Sequence, residues 1–396
     1  MPERRLRIAV FSDSALPVLN GVSISVDTMI RQLRDRGHSV HLYTASSKGC
    51  KDSDPNTYRF RAIEVPWTKG YSLAVPPFYW MLKKFRANEY DLIHTHTPFT
   101  IGFVGLRWAE SHEVPIVATY HTLYDRYAHY IPLFPRRYVR FKLAKHTSFY
   151  YNRVRHVIVP SQAAQKWLQR HSVSTPITVI PTASAQRRMI DRSEIRQRLG
   201  IAPDHKVLLY VGRIAKEKNL PTLLQMTRLV MRQDPSVRLV LVGDGPYREE
   251  CMRLARDLAI GDRVRFEGFV PRDKVDEYYA ASDLFVFSSI TETQGLVVQE
   301  AMAYGLPAVA ITGGGASECI ESGVNGIVVR NDPVEFADAV LEVLADERAH
   351  SELSASAARA ARTTSATEMA DRILEVYRGV LSVPAKVAPS GQGIVR

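Results

Sequence analysis

The chain has 396 residues, 45% hydrophobic and 23% charged, a formal net charge of +11, and three cysteines, Cys50, Cys251 and Cys319. That length fits about two soluble domains, and the scattered cysteines argue against a disulfide framework or a thiolate metal site and point to a reducing compartment. The apolar run after Arg4, Arg5 and Arg7 stops at Asp13, too short for a secretory leader, and no uncharged apolar run reaches the ~18 residues of a membrane span, so a cytoplasmic chain is expected.

Leu6–Phe11 reads as a buried strand. Ser23–Arg36 reads as a helix, with Ile24, Met29, Ile30 and Leu33 at helical spacing and Gly37 closing it. Ser39–Thr44, Leu92–His94, Ile116–Thr119 and His156–Pro160 read as further strands. The pattern restarts near residue 206, with strands expected at Lys206–Gly212, Val237–Gly243, Val264–Phe266, Leu284–Phe287, Ala308–Ile311 and Gly326–Val329. Strands separated by helices imply parallel βαβ units with right-handed crossovers, hence two Rossmann-like halves. The expected division is 1–185 and 186–365, with the boundary in the Pro181–Pro203 region. A last helix, 366–383, is expected to cross back onto the first half, followed by a disordered Pro/Gly/Ser-rich tail, 384–396.

In open parallel sheets, ligands bind beyond the carboxyl ends of the strands, and the polar motifs of this chain cluster there. Asn20-Gly21-Val22 follows the first strand and opens a helix, where a glycine lets backbone amides approach a phosphate; its plain alternative is a turn glycine. Gly212-Arg213-Ile214-Ala215-Lys216-Glu217-Lys218 follows the first strand of the second half. Arg213, a planar fork, and Lys218, a point charge, suit a diphosphate; the alternative is a solvated charged loop. Gly243-Asp244-Gly245-Pro246 reads as a turn and helix start. His121 follows the strand Ile116–Thr119 and can bond a sugar hydroxyl or serve the fold alone. His94 and His96 lack a third ligand at useful spacing, so no zinc site is expected.

Glu292 and Glu300 are the most informative pair. Seven residues separate them, Gly295 lies in a turn between them, and the second carboxylate falls inside the helix that follows. The spacing suits a sugar nucleotide, with one carboxylate for the sugar, one for the ribose, and helix amides for the phosphates. Leu296, Val297 and Met302 are expected to bury one face of that helix, leaving Glu300 among apolar neighbours, where an unpaired carboxylate is costly.

The charge is not evenly spread. From Arg126 to Ile190 there are 12 Lys or Arg and no Asp or Glu, which leaves 40 basic against 41 acidic residues elsewhere. Such a field points to an anionic membrane, nucleic acid or phosphorylated substrate. Ten aromatics lie between Tyr120 and Tyr151, and Pro135 can start a helix carrying Arg136, Arg137, Arg140, Lys142 and Lys145. Basic and aromatic residues together suit a bilayer interface; the alternative is an ordinary solvated helix.

On these residues the chain resembles glycosyltransferase family 4 over about residues 6–380. Leu16–Val22, His94–Phe99, Tyr120–Tyr124 and Glu292-Thr293-Gln294-Gly295 look like the bacterial diacylglycerol glucosyltransferases within it. Pro181-Thr182-Ala183-Ser184 departs from the Pro-Thr-Gly-Ile/Val-Asp type of sequence expected there. The resemblance implies an α/β GT-B fold, two Rossmann-like domains facing a central cleft, and a retaining hexosyltransferase. It implies catalytic roles for His121, Glu292, Arg213 and Lys218. It implies donor contacts from Gly21, Arg213, Lys218, Thr293, Gln294, Gly295, Leu296 and Glu300, with Glu292 on the sugar, Glu300 on the ribose and His121 near the reacting centre. Arg136, Arg137, Arg140, Lys142, Lys145 and Tyr124 would serve the membrane or acceptor.

The implied reaction moves a hexose, glucose first, from a nucleoside diphosphate sugar such as UDP-glucose to a lipid such as diacylglycerol. It needs no metal or other cofactor and no nucleic acid, and places the protein on the inner face of the cell membrane. The alternatives are a GDP-mannose-dependent mannosyltransferase, a family member with a soluble acceptor, a dinucleotide-dependent oxidoreductase (disfavoured because no GxGxxG follows the first strand), and a non-catalytic module held on membrane or nucleic acid.

Overall fold

The structure, a computed structural model, describes residues 4–18, 20–47, 54–64, 72–75, 78–124, 126, 134–183, 188–361 and 365–383. The tail expected to be disordered, 384–396, lies outside them, as do Cys50, Tyr127, Tyr130, Ser184 and Arg187.

The chain runs β1 (Arg7–Ser12), α1 (Gly21–Asp35), β2 (Ser39–Ala45), β3 (Thr57–Phe60), β4 (Ala62–Glu64), β5 (Ser72–Ala74), α2 (Tyr79–Arg86), β6 (Leu92–Thr95), α3 (Thr100–Ser111), β7 (Ile116–Thr119), α4 (Arg136–Tyr151), β8 (His156–Val159), α5 (Gln162–Arg170) and β9 (Ile177–Val179). It continues through α6 (Arg192–Arg198), β10 (Lys206–Val211), α7 (Leu220–Gln233), β11 (Val237–Val242), α8 (Arg248–Asp257), β12 (Val264–Gly268), α9 (Arg272–Ala281), β13 (Leu284–Phe287), α10 (Leu296–Ala303), β14 (Ala308–Ile311), β15 (Gly326–Val329), α11 (Pro333–Ala345), α12 (Glu347–Ala360) and α13 (Ala366–Ser382). Two units form. One holds the chain up to Pro160, residues 165–180 and the chain from Ala366; the other holds 161–164 and 181–365.

The first unit is built on a parallel sheet ordered β3-β2-β1-β6-β7-β8-β9. Winding proceeds one way from β1 to β3 and the other way from β6 to β9, so it reverses between β1 and β6, where Ile8 faces Leu92 and Val10 faces His94. Such a reversal leaves a crevice at the strand ends. The core here is aromatic. Phe11 stacks on Tyr43 at 4.7 Å and meets the edge of Trp108 at 5.7 Å. The helix α13 belongs to this unit: Arg36 Nε on the turn after α1 donates to Asp371 at 3.0 Å, and an Arg372 guanidinium N–H donates to the Val179 carbonyl at 2.6 Å.

The second unit has the order β12-β11-β10-β13-β14-β15, with the reversal between β10 and β13. Its core is mostly aliphatic, from Leu208, Leu239, Leu241, Val286, Val309 and Val340 among others. The expected strands are present to within two residues at their ends. Strands β3 and β9 and the antiparallel pair β4–β5 were not expected. Strands β3 and β9 lie at the sheet edges and are only partly buried, so neither carries the continuous apolar run that marks an inner strand.

Candidate functional site

In the second unit, the segments after β10 and β13 flank the winding reversal and hold the expected donor residues. The turn Lys216–Lys218 is tied to the loop after β13: Ser288 Oγ donates to the Lys218 carbonyl at 2.7 Å, and Thr291 Oγ1 donates to the Glu217 carbonyl at 3.3 Å. Asn219 takes a left-handed φ of 56° and bonds Asn331 at 2.8 Å, which ends the turn and starts α7. These bonds hold Lys218 against Glu292, and their side chains form a salt bridge with 11% and 24% exposure. The pair is sheltered but reachable. Arg213 lies half-buried in the same post-β10 loop.

Glu292 falls in the loop and Glu300 inside α10, as the spacing predicts. Gly295 sits between them at φ 62°, and a Cβ there would lie 2.4 Å from the Ala316 Cβ. Both facts demand glycine: an L-residue strains in that conformation, and no room exists for a side chain. The buried face of α10 is Val298, Ala301 and Met302. Leu296 and Val297, expected to be buried with Met302, are partly buried, and Val297 packs against the core of this unit. Those two residues present backbone amides that lack helical partners, a place that favours an anion.

Glu300 is buried. Arg272 Nη2 donates to its Oε1 and Tyr279 Oη to its Oε2, each at 2.9 Å. Burial pushes its carboxyl above the ordinary carboxylate range, against the pull of Arg272 and Tyr279. Sequence reasoning missed both partners. The available signal was the stripe Arg272, Asp276, Tyr279, polar residues at helical spacing on α9. The Gln294 side chain is engaged with backbone: its Oε1 accepts from the Thr182 amide at 2.9 Å and its Nε2 donates to the Thr182 carbonyl at 2.8 Å. Thr293 is half-buried, and its carbonyl would be 2.0 Å from a Cβ on Gly315.

In the first unit, Gly21 is the exposed first residue of α1. Asn20 caps that helix by accepting from the Ser23 amide at 2.9 Å. His121 follows β7 and joins a buried ring stack with His96 and His94. Nδ1 of His96 lies 2.9 Å from Nε2 of His121, and His94 sits between the Tyr377 and Thr119 hydroxyls at 2.6 and 2.7 Å. Burial pulls His121 down to about 4 and His94 to about 3, and drives His96 well below the ordinary imidazole value. All three rings are therefore neutral near physiological pH. Asp13, also missed from sequence, accepts from Thr97 and Thr100 hydroxyls at 2.5 Å each and from the Ile101 amide at 2.9 Å, fixing the start of α3 after β1. Among the described residues, no group of three or more His, Cys, Asp or Glu could hold a metal ion.

Helix α4 carries the expected basic residues, Arg136, Arg137, Arg140, Lys142 and Lys145, all exposed. Its apolar surface is not all inward. Val139 is buried, but Tyr138 and Phe141 are 50% and 54% exposed, with Phe134 and Phe149 nearby also exposed. Lys142 lies over Tyr138 at 5.5 Å and Lys145 over Phe141 at 4.8 Å. An open groove of about 840 Å³ runs beside them, lined by Phe99, Leu143 and His146 among others. Tyr124 is half-buried, with its ring against Phe99 at 4.8 Å. No helix among the described residues is long and apolar enough to cross a membrane.

Two doubly wound parallel sheets, each with polar loops at its reversal, are the architecture of the GT-B fold. Solved structures agree on the fold: a sucrose-phosphate synthase from Thermosynechococcus elongatus superposes with a TM-score of 0.77 at 24% identity, covering 96% of this chain and 100% of that one. Anabaena HepE, solved with UDP and glucose, superposes at 0.74 and 22% identity, covering 94% of this chain and 100% of that one.

Residues 19–183 match the Glycosyltransferase Family 4 model and residues 191–364 the model of glycosyl transferases group 1. The chain is 32% identical to an alpha-monoglucosyldiacylglycerol synthase of Streptococcus pneumoniae, over 86% of this chain and 78% of that one. It is 31% identical to the enzyme of the same description from Acholeplasma laidlawii, over 81% and 84%. A GDP-mannose-dependent alpha-mannosyltransferase of Corynebacterium glutamicum is 24% identical over 97% and 91%. The chain belongs to glycosyltransferase family 4 and is a hexosyltransferase.

Proposed function

We propose that this enzyme moves glucose from UDP-glucose to the free hydroxyl of a membrane lipid such as diacylglycerol, retaining the anomeric configuration. The observation that carries the lipid acceptor is the outward face of α4, where exposed aromatic rings alternate with exposed cations. Rings at headgroup level and cations against an anionic leaflet bring an enzyme to a lipid substrate, each cation contributing ~1 kcal/mol. The two relatives named for monoglucosyldiacylglycerol support the same reading. The protein then works peripherally, on the inner face of the cell membrane.

In this reading Glu292 bonds the donor sugar and Glu300 the ribose. Lys218 has three N–H donors, so it can hold Glu292 and a diphosphate oxygen together. Arg213 bonds the same diphosphate. Amides of Thr293 to Leu296 serve its oxygens, while the Gln294 side chain holds the loop. As the bond from the anomeric carbon to the diphosphate breaks, negative charge grows on the leaving oxygen. Fixed cations stabilise that state more than the ground state. The lipid hydroxyl attacks from the same face, and the leaving diphosphate accepts its proton. His121, neutral, acts as a hydrogen-bond partner of the sugar. Charge stabilisation by Lys218 and Arg213 makes a divalent ion unnecessary, so turnover should be unchanged in EDTA.

Incubation with UDP-glucose and diacylglycerol vesicles tests the proposal, with α-glucosyl lipid as the expected product. Failure to form glycolipid with any donor, while a soluble alcohol is glycosylated, would overturn the lipid acceptor. A second reading, GDP-mannose as donor, is favoured by the Corynebacterium relative, and a donor panel separates the two.

A further inference from the structure

Glu300 is a carboxylate that its surroundings make hard to keep ionised. Its side chain is 12% exposed, and burial favours the protonated form. Two groups of α9 oppose this, Arg272 on one oxygen and Tyr279 on the other, each at 2.9 Å. They are seven residues apart, so they project from one stripe of the helix. Asp276 lies on the same stripe, 3.4 Å from the Arg272 guanidinium, and its charge acts in the opposite sense on Glu300. Among the described residues, these three are the charged and titratable groups acting on Glu300. The Tyr279 ring is fully buried and stacked on Tyr304 at 5.7 Å, which holds its hydroxyl in place.

We infer that Arg272 and Tyr279 are positioning residues for recognition of the nucleotide ribose: they keep Glu300 ionised and orient it, leaving its remaining lone pairs for ribose hydroxyls. This rests on the reading above that puts Glu300 on the ribose. A carboxylate has about four acceptor positions, and α9 fills two. Without Arg272, only the Tyr279 hydroxyl opposes burial and the Asp276 charge, and Glu300 shifts toward its protonated form. It then presents an O–H donor on one oxygen, the wrong partner for one of two hydroxyl donors.

Titration calorimetry of the full chain with UDP and GDP, and with their 2′-deoxy and 3′-deoxy forms, tests the inference across pH. Wild type should prefer the ribonucleotide, and its affinity should fall as acid protonates Glu300. Arg272→Met should weaken ribonucleotide binding about tenfold, the scale of one hydrogen bond to a charged group. The variant should lose the preference over the deoxy forms and move the acid limb to higher pH. Donor KM should rise with kcat nearly unchanged, and Arg272→Lys should recover part of the loss. In a Glu300→Gln background, Arg272→Met should add nothing. Tyr279→Phe, which keeps the ring stack, provides the same readouts if Arg272→Met does not fold. Wild type indifferent to the ribose hydroxyls overturns both the ribose reading and this inference. Wild type that discriminates, with variants that keep its preference and pH profile, overturns this inference alone.

Discussion

At the winding reversal of the first unit the polar residues are rings and hydroxyls around one carboxyl, Asp13; at that of the second they include a salt-bridged pair of charges. Burial leaves the rings of His94, His96 and His121 uncharged, while Lys218 and Glu292 pair with each other as charges. The contrast follows from desolvation. A neutral imidazole can be buried at the cost of its hydrogen bonds, but a buried charge needs a partner, water or both. The difference teaches where each unit can contribute. The first offers neutral hydrogen-bonding groups at its strand ends. The second concentrates charge where a diphosphate would sit.

The sharpest way to break this comparison is to remove charge from the second unit. Lys218→Ala should lower kcat/KM by roughly 10²–10³, the scale of losing one preorganised electrostatic donor. Steady-state kinetics with retained folding checks it, and a loss of only a few-fold would mean the charge lies elsewhere. Next comes the backbone that carries Glu292 and Glu300. Gly295→Ala should cost about 3 kcal/mol in denaturant unfolding, from left-handed strain and from overpacking against Ala316.

Acid should act on His121 and Glu300 with opposite signs. Burial lowers the histidines in the folded state, so the unfolded chain binds protons that the folded chain does not between about 6.5 and about 4. The first unit therefore loses stability as pH falls through that window, on the order of 2 kcal/mol from His121 alone. Glu300 runs the other way. Its folded value is raised above 4.5, so its contribution is present below the unfolded value and is lost as pH rises through the folded one. In a nuclear magnetic resonance titration the His121 ring resonances should not move where an exposed histidine titrates. A His121 midpoint near 6.5 would contradict the buried stack. The smallest effect is on α4. Arg137→Ala should weaken binding to anionic vesicles about fivefold, corresponding to ~1 kcal/mol per cation, and the difference should vanish at high salt.

Much was legible in the sequence because it depends on local chemistry. Apolar runs separated by helical periodicity marked the inner strands, since a parallel sheet buried on both faces needs such runs. Glu292, Gly295 and Glu300 announced a loop, a turn and a helix in order. The absence of acids from 126 to 190 marked where the positive charge would stand. The edge strands β3 and β9 were silent because partial burial leaves no pattern, and the burial expected of Leu296 and Val297 is only partial.

Residue order along this chain was thus enough for the inner strands and for the two-part repeat. Pairing was decided only by tertiary structure. Arg272 is 28 residues from Glu300, Lys218 is 74 from Glu292, and Tyr377 is 283 from His94. Local periodicity reports which face of an element is apolar, but it carries no information about which distant side chain will meet that face. Whether a carboxylate or imidazole in this protein is charged depends on that meeting, because burial and partner together set its protonation.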